Sequence, residues 1–231
     1  MRFKPWIFLV LFQMGMAAGP MTHLFLGEKY CSHSGDSEEK TGEFLVGTLF
    51  PDIRYIAHFP RARTHPVVTD LQEVAQSSSN FCAGIKFHAW VDIIREEFVE
   101  KSGIYQAVIP YAKGHEATLL KFIEEEILAD FYDGQKWSYL FDQVGESERS
   151  FATDNQVERW HSMIQYSMAY RPSWLIWGVS YFKSQAFGIS DETLYEWSYL
   201  LPELAQDPIF QSHVKNLLAY LEVKIEVPLS K

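Results

Sequence analysis

Cysteine is scarce in this 231-residue chain: Cys31 and Cys82 are the only two. Their separation excludes a Cys-x-x-Cys redox or zinc motif. In an oxidising compartment the two thiols are free to pair, and two unpaired buried thiols are the equal alternative. Positive charge is also short, with 20 Lys and Arg against 30 Asp and Glu and a net charge of −10. Duplex nucleic acid is thereby excluded as a partner, because neutralising phosphates dominates that affinity. An acidic chain still works on phosphates when a bound cation brings the charge. No apolar run reaches the roughly 20 residues of a membrane span. Alternating apolar and polar residues are rare, and no internal repeat, low-complexity tract or Pro-rich linker occurs. What is present is apolar and aromatic mass, 47% and 16% of the residues, enough to offset the entropy of ordering the chain and to exclude disorder.

The first residues have the layout of a secretory signal: Arg2 and Lys4, an apolar stretch from Trp6 to Met16, then Ala17, Ala18 and Gly19. Residues 1–18 are read as a cleaved leader and 19–231 as a single domain, placing the protein in a secreted or periplasmic compartment. An uncleaved anchor or a buried first helix is the alternative.

Helical spacing runs through the remainder. Thr69 to Gln72 and Thr153 to Gln156 have the pattern of capping boxes, Ser190-Asp191-Glu192 puts a cap and negative charge at a helix start, and Asp207-Pro208 does the same with a proline at the first helical position. Pro172 stops the preceding helix. The expected helices lie near 21–31, 41–50, 69–77, 82–102, 115–133, 155–170, 173–187, 190–199 and 207–223. The predicted fold class is all-α, a multi-helix bundle.

Several ionisable residues fall on faces that should be apolar. His88 and Asp92 stand at i and i+4 on the stripe of Ile85 and Val99, with Ala89 and Ile93 beside it, so their side chains lie one above the other. Burying an imidazole and a carboxylate costs several kcal/mol unless each finds a partner, and a divalent metal serves both; a plain His–Asp hydrogen bond is the alternative. In the helix around 115–133, Glu126 and Asp130 border the face of Leu119, Phe122, Ile123 and Ile127, whereas Glu124 and Glu125 are read as solvated. Asp52 follows Pro51 at a helix end, held by the stiff proline. His58 and His65 lie downstream, and His23 heads the first helix. The candidate metal set is therefore His23, Asp52, His65, His88, Asp92, Glu126 and Asp130. Imidazoles and carboxylates without thiolates suit catalytic zinc. His33 and His213 are read as surface residues, His115 as solvated and His161 as a polar core contact. The aromatic set from Trp137 onward is read as core.

In this order, His23, the segment Gly47 to Pro51-Asp52, His65 and the His88 to Asp92 helix resemble the zinc-dependent phospholipase C family and its relatives, the single-strand-specific zinc nucleases. The resemblance covers roughly residues 20–133. It implies an all-α secreted fold, a cleft holding one to three zinc ions (Zn2+), and hydrolysis of a phosphoester, with Asp52 as catalytic base. A phospholipid or another phosphoester is the implied substrate, with peripheral contact to a lipid surface open. Phe122 stands where the family has a histidine four residues before Glu126, no histidine follows Asp92 within two turns, and no Trp lies near the expected cleavage point; these departures favour fewer than three ions. A single-strand nuclease is one alternative. A non-catalytic helical protein with a remnant or structural metal site is another.

Overall fold

The computed structural model describes residues 18–181 and 189–229, so the expected leader, except Ala18, lies outside the described residues. Helix accounts for 78% of the chain, and among the described residues there is no strand. The chain is all-α, as its spacing predicts. The helices in order are α1 (Pro20–Ser34), α2 (Glu38–Leu49), the single turns α3 (Arg54–Ala57), α4 (Arg61–Thr64) and α5 (Gln72–Ala75), then α6 (Asn80–Ser102), α7 (Tyr105–Ala112), α8 (Glu116–Leu128), α9 (Glu146–Arg149), α10 (Asp154–Ala169), α11 (Pro172–Tyr181), α12 (Asp191–Leu204) and α13 (Pro208–Leu229). None of them is long and apolar enough to cross a membrane.

Start signals act as the sequence suggests. Gln156 closes a capping box with Thr153 at α10, Ser190 accepts from Thr193 N at 3.1 Å, and Asp207 from Ile209 N at 2.8 Å. α10 ends at Ala169, before Pro172 opens α11. The expected helix at 69–77 shrinks to one turn, because Glu73 rather than Gln72 binds back, gathering Thr69 N, Thr69 Oγ1 and Asp70 N. α7 falls where no helix is expected and carries Pro110, and α12 runs through Pro202 to Leu204. Each proline falls in the last turn of its helix, where its missing N–H costs a single bond.

Two packing arrangements position the site. α2 and α6 cross backbone to backbone: a Cβ on Gly47 would lie 2.2 Å from the Phe81 carbonyl oxygen, and one on Gly84 2.2 Å from that of Phe44. α8 is enclosed by α1, α7, α11, α12 and α13, so every residue from Leu119 to Leu128 is buried. A helix surrounded in this way has no solvent face on which to place charge. The aromatic half divides between inside and outside: Trp160 and Trp197 are core residues, whereas Trp174 and Trp177 are exposed. Cys31 and Cys82 are unbridged, and burial pushes the Cys31 thiol up to about 12.

Candidate metal centre

The glycine contact between α2 and α6 sets the first coordinates of the site. α2 ends at Leu49, so the carbonyl of Thr48 lacks an intrahelical partner. His88 lies one turn beyond Gly84 on α6, and its Nδ1 donates to that carbonyl at 2.9 Å. The Nδ1 proton fixes the tautomer and leaves the Nε2 lone pair aimed at the site, the arrangement that orients a ligating histidine. Just past α2 a 3₁₀ turn, Phe50–Ile53, carries Asp52 inward. His65, at the end of α4, has its Nδ1 2.9 Å from Thr64 Oγ1, so it too presents Nε2.

His88 Nε2 and His65 Nε2 stand 3.6 and 3.8 Å from Asp92 Oδ2, and His65 Nε2 is 4.0 Å from Asp52 Oδ1. Ligands held about 2.1 Å from a tetrahedral zinc stand roughly 3.4 Å from one another, and Asp52, His65 and His88 form one grouping of three whose ligand atoms lie within 4.8 Å of one another. His23 completes a second grouping with His88 and Asp92; its ring stacks on that of His88, centroids 3.8 Å apart, and its Nε2 is 3.2 Å from Asp92 Oδ1. Asp52 Oδ1, His65 Nε2, His88 Nε2 and both ring nitrogens of His23 are buried with no hydrogen-bond partner. Unsatisfied buried polar atoms are rare and costly, and those of Asp52, His65 and His88 belong to residues of one grouping.

Burial disfavours charge on the imidazoles, with the neighbouring imidazole adding to it: His65 is held down at about 3 and His88 at about 4. Both are therefore neutral at pH 7, the form that binds metal. Burial opposes the Asp92 charge, but the surrounding imidazoles, His88 foremost, hold its carboxyl below the usual carboxylate range. Asp92 also accepts from Ala18 N at 3.1 Å and from Arg61 Nη2 at 3.3 Å. Lys121 of α8 is buried; desolvation lowers its ammonium to about 8, while Asp52 and Asp92 act to keep it charged.

Five of the seven predicted residues thus meet: His23, Asp52, His65, His88 and Asp92. Glu126 and Asp130 do not join them. Both carboxylate oxygens of Glu126 bind the start of α11, at Ser173 N and Ser173 Oγ, each at 2.9 Å. Asp130 pairs with Arg171 at 2.5 Å on the surface. Glu124 and Glu125 are not solvated as the sequence suggested. Glu124 accepts from Arg95 Nε at 2.8 Å and lies 3.1 Å from His213 Nε2, which makes His213 a core residue as well. Glu125 accepts from Met21 N, Thr22 N and Thr22 Oγ1, supplying from α8 the cap that Gly19 cannot give α1. The three consecutive glutamates tie three different neighbours to α8. His161 is the polar core contact expected of it, 2.7 Å from Glu148.

A cleft of about 480 Å³ opens beside α8, lined by Met21, Lys121, Phe122, Tyr132, Met168 and Leu175 among others. None of the five clustered residues lines it; Lys121 does. A scan against protein-family models and searches among curated proteins and solved structures return no match to this chain.

Proposed function

We propose that this chain is a zinc-dependent phosphodiesterase of the phospholipase C type, working in a secreted or periplasmic compartment. The observation that carries the reading is the set of unpartnered buried atoms on Asp52, His65 and His88 facing Asp92, a cost that a shared ion removes. Zinc bound there supplies Lewis acidity and lowers the pKa of water to about 7. His65, His88 and one oxygen of Asp52 would hold the ion, with His23 and Asp92 grouped beside them around the shared His88. The second oxygen of Asp52 would take the proton of the attacking water.

The contacts of Ala18 N and Arg61 with Asp92 favour a second reading, a non-catalytic helical protein with a structural metal. One experiment separates the two. Zinc content and hydrolysis of phosphatidylcholine and of single-stranded DNA are measured for the wild-type chain and for His88→Ala. The enzyme reading expects a single zinc per chain, lipid hydrolysis, and loss of both in the variant. Zinc without hydrolysis of either substrate leaves the structural reading, and wild-type zinc content and activity retained in His88→Ala overturn the site.

A further inference from the structure

We propose that Arg61 is the substrate-binding residue at the mouth of this centre, where its guanidinium holds the anionic oxygens of a phosphate ester; this rests on the zinc-centre reading above. Position is the first observation. Ala18 N, Arg61 Nη2, Thr64 Oγ1 and the Thr48 carbonyl hydrogen-bond to the clustered residues. Ala18, Thr48 and Thr64 are buried, whereas the Arg61 side chain is 47% exposed. Among the described residues, Arg61 is therefore the hydrogen-bonding group that runs from solvent to the buried cluster.

Donor count is the second. Arg61 Nη2 stands 3.3 Å from Asp92 Oδ2, a contact that uses one of the five N–H donors of a guanidinium. The others belong to a half-exposed side chain, and a planar fork of this kind matches two oxygens of a phosphate at once. A phosphate on those donors lies one guanidinium away from Asp92. Surface charge is the third. The chain carries a net charge of −10, yet no Asp or Glu occurs from Ile53 to Thr69, where Arg54, Arg61 and Arg63 all fall. His58 and the stretch from Pro60 to Arg63 are exposed, between the buried Asp52 and His65. The surface segment joining two of the ligands is thus positive in an acidic molecule, which draws anions toward it. Arg54 donates to Tyr55 Oη, and Arg63 donates to the Phe151 carbonyl at 2.7 Å and stacks on Phe59. Arg61 is the arginine of this stretch that hydrogen-bonds to the cluster. The ligand class is accordingly a phosphate ester, with its non-bridging oxygens at Arg61.

The test uses the full, zinc-loaded chain with inorganic phosphate as probe, comparing wild type, Arg61→Gln, Arg61→Lys and Arg63→Met by titration calorimetry, with zinc content measured on each. Arg61→Gln is expected to keep its zinc and to bind phosphate at least about tenfold more weakly, the effect of losing charged hydrogen bonds. Arg61→Lys keeps the charge and loses the fork, so it falls between the two, while Arg63→Met stays near wild type. A smaller loss in zinc-replete Arg61→Gln, or an Arg61→Gln chain that no longer holds zinc, reduces Arg61 to a brace for Asp92 and overturns the proposal, with the zinc centre of the wild type still standing. An equal loss in Arg63→Met overturns it too, because attraction to a positive surface then suffices. Should Arg61→Gln not fold, phenylglyoxal modification of the zinc-loaded wild type, mapped by mass spectrometry, replaces it. Phosphate is expected to protect Arg61, and modification at the same rate with and without phosphate overturns the proposal. A wild-type chain that takes up no zinc removes the centre and the role of Arg61 together.

Discussion

His88 shows how much of the site rests on one residue. Its Nδ1 is held by the Thr48 carbonyl, its ring is stacked by His23, and its Nε2 faces Asp92. His88 and His65 also make the fold sensitive to acid. Both are held neutral by burial, at about 4 and about 3, whereas an unfolded histidine takes its proton near 6.5. These folded-state values are depressed, so the unfolded chain binds the extra protons, and stability present above pH 6.5 drains away as pH falls toward 4. For His88 alone the loss amounts to about 2 kcal/mol by pH 5. Urea unfolding of the metal-free chain at pH 7.5 and pH 5 measures it; an unchanged midpoint would mean that these imidazoles are not buried. At this scale the sequence was legible for a local reason. His88 and Asp92 sit on an apolar stripe of their own helix, and their spacing alone puts them together. Their meeting with Asp52 and His65 depends on packing, which no local spacing encodes; residue chemistry alone joined them to the candidate set.

Among the elements, the contact of α2 with α6 has the clearest energetic consequence. Gly84→Ala would set a methyl against the backbone of Phe44 and Thr48, and rigid backbone cannot yield as a flexible side chain can. The helices must part, at a cost of roughly 1–3 kcal/mol for overpacking. His88 rides on α6 and Asp52 follows α2, so zinc affinity should fall along with stability; a variant that melts lower yet binds zinc as tightly would show that the site is not positioned by this crossing. α8 is the element that sequence reasoning misjudged. An amphipathic helix has one buried face, and on that premise Glu124 and Glu125 belong in water and Glu126 near a ligand face. The premise fails for a helix packed on all sides, where a carboxylate is buried wherever it points and must find a donor. The partners it found, Met21, Thr22, Arg95, Ser173 and His213, come from distant parts of the chain that no local pattern links to it. α7 shows local signal and packing at odds: it carries Pro110, a residue that breaks helix interiors, in its last turn.

Across the whole molecule, metal and fold are coupled by mass action. An ion that binds the folded chain and not the unfolded one adds about 2.7 kcal/mol at a hundredfold excess over its dissociation constant. Melting temperature should therefore climb with zinc concentration and drop again on chelation, and a melting curve indifferent to zinc would count against a site formed only in the folded state.

The three glutamates of α8 also set a timetable. The bonds of Glu125 to α1 span 103 and 104 residues, that of Glu124 to His213 spans 89, and those of Glu126 to Ser173 span 47. Contacts so far apart in the chain close late, because the loop entropy must be met before they contribute. His23 is carried by α1, the helix that Glu125 anchors, so the complete cluster of imidazoles is absent until those closures are made. A ligand that recognises only what forms after the barrier holds the native state in place without hastening its arrival. In stopped-flow experiments zinc should slow the unfolding limb and leave the refolding limb where it was, which would make the ion a guard against escape from the fold and not a template for reaching it.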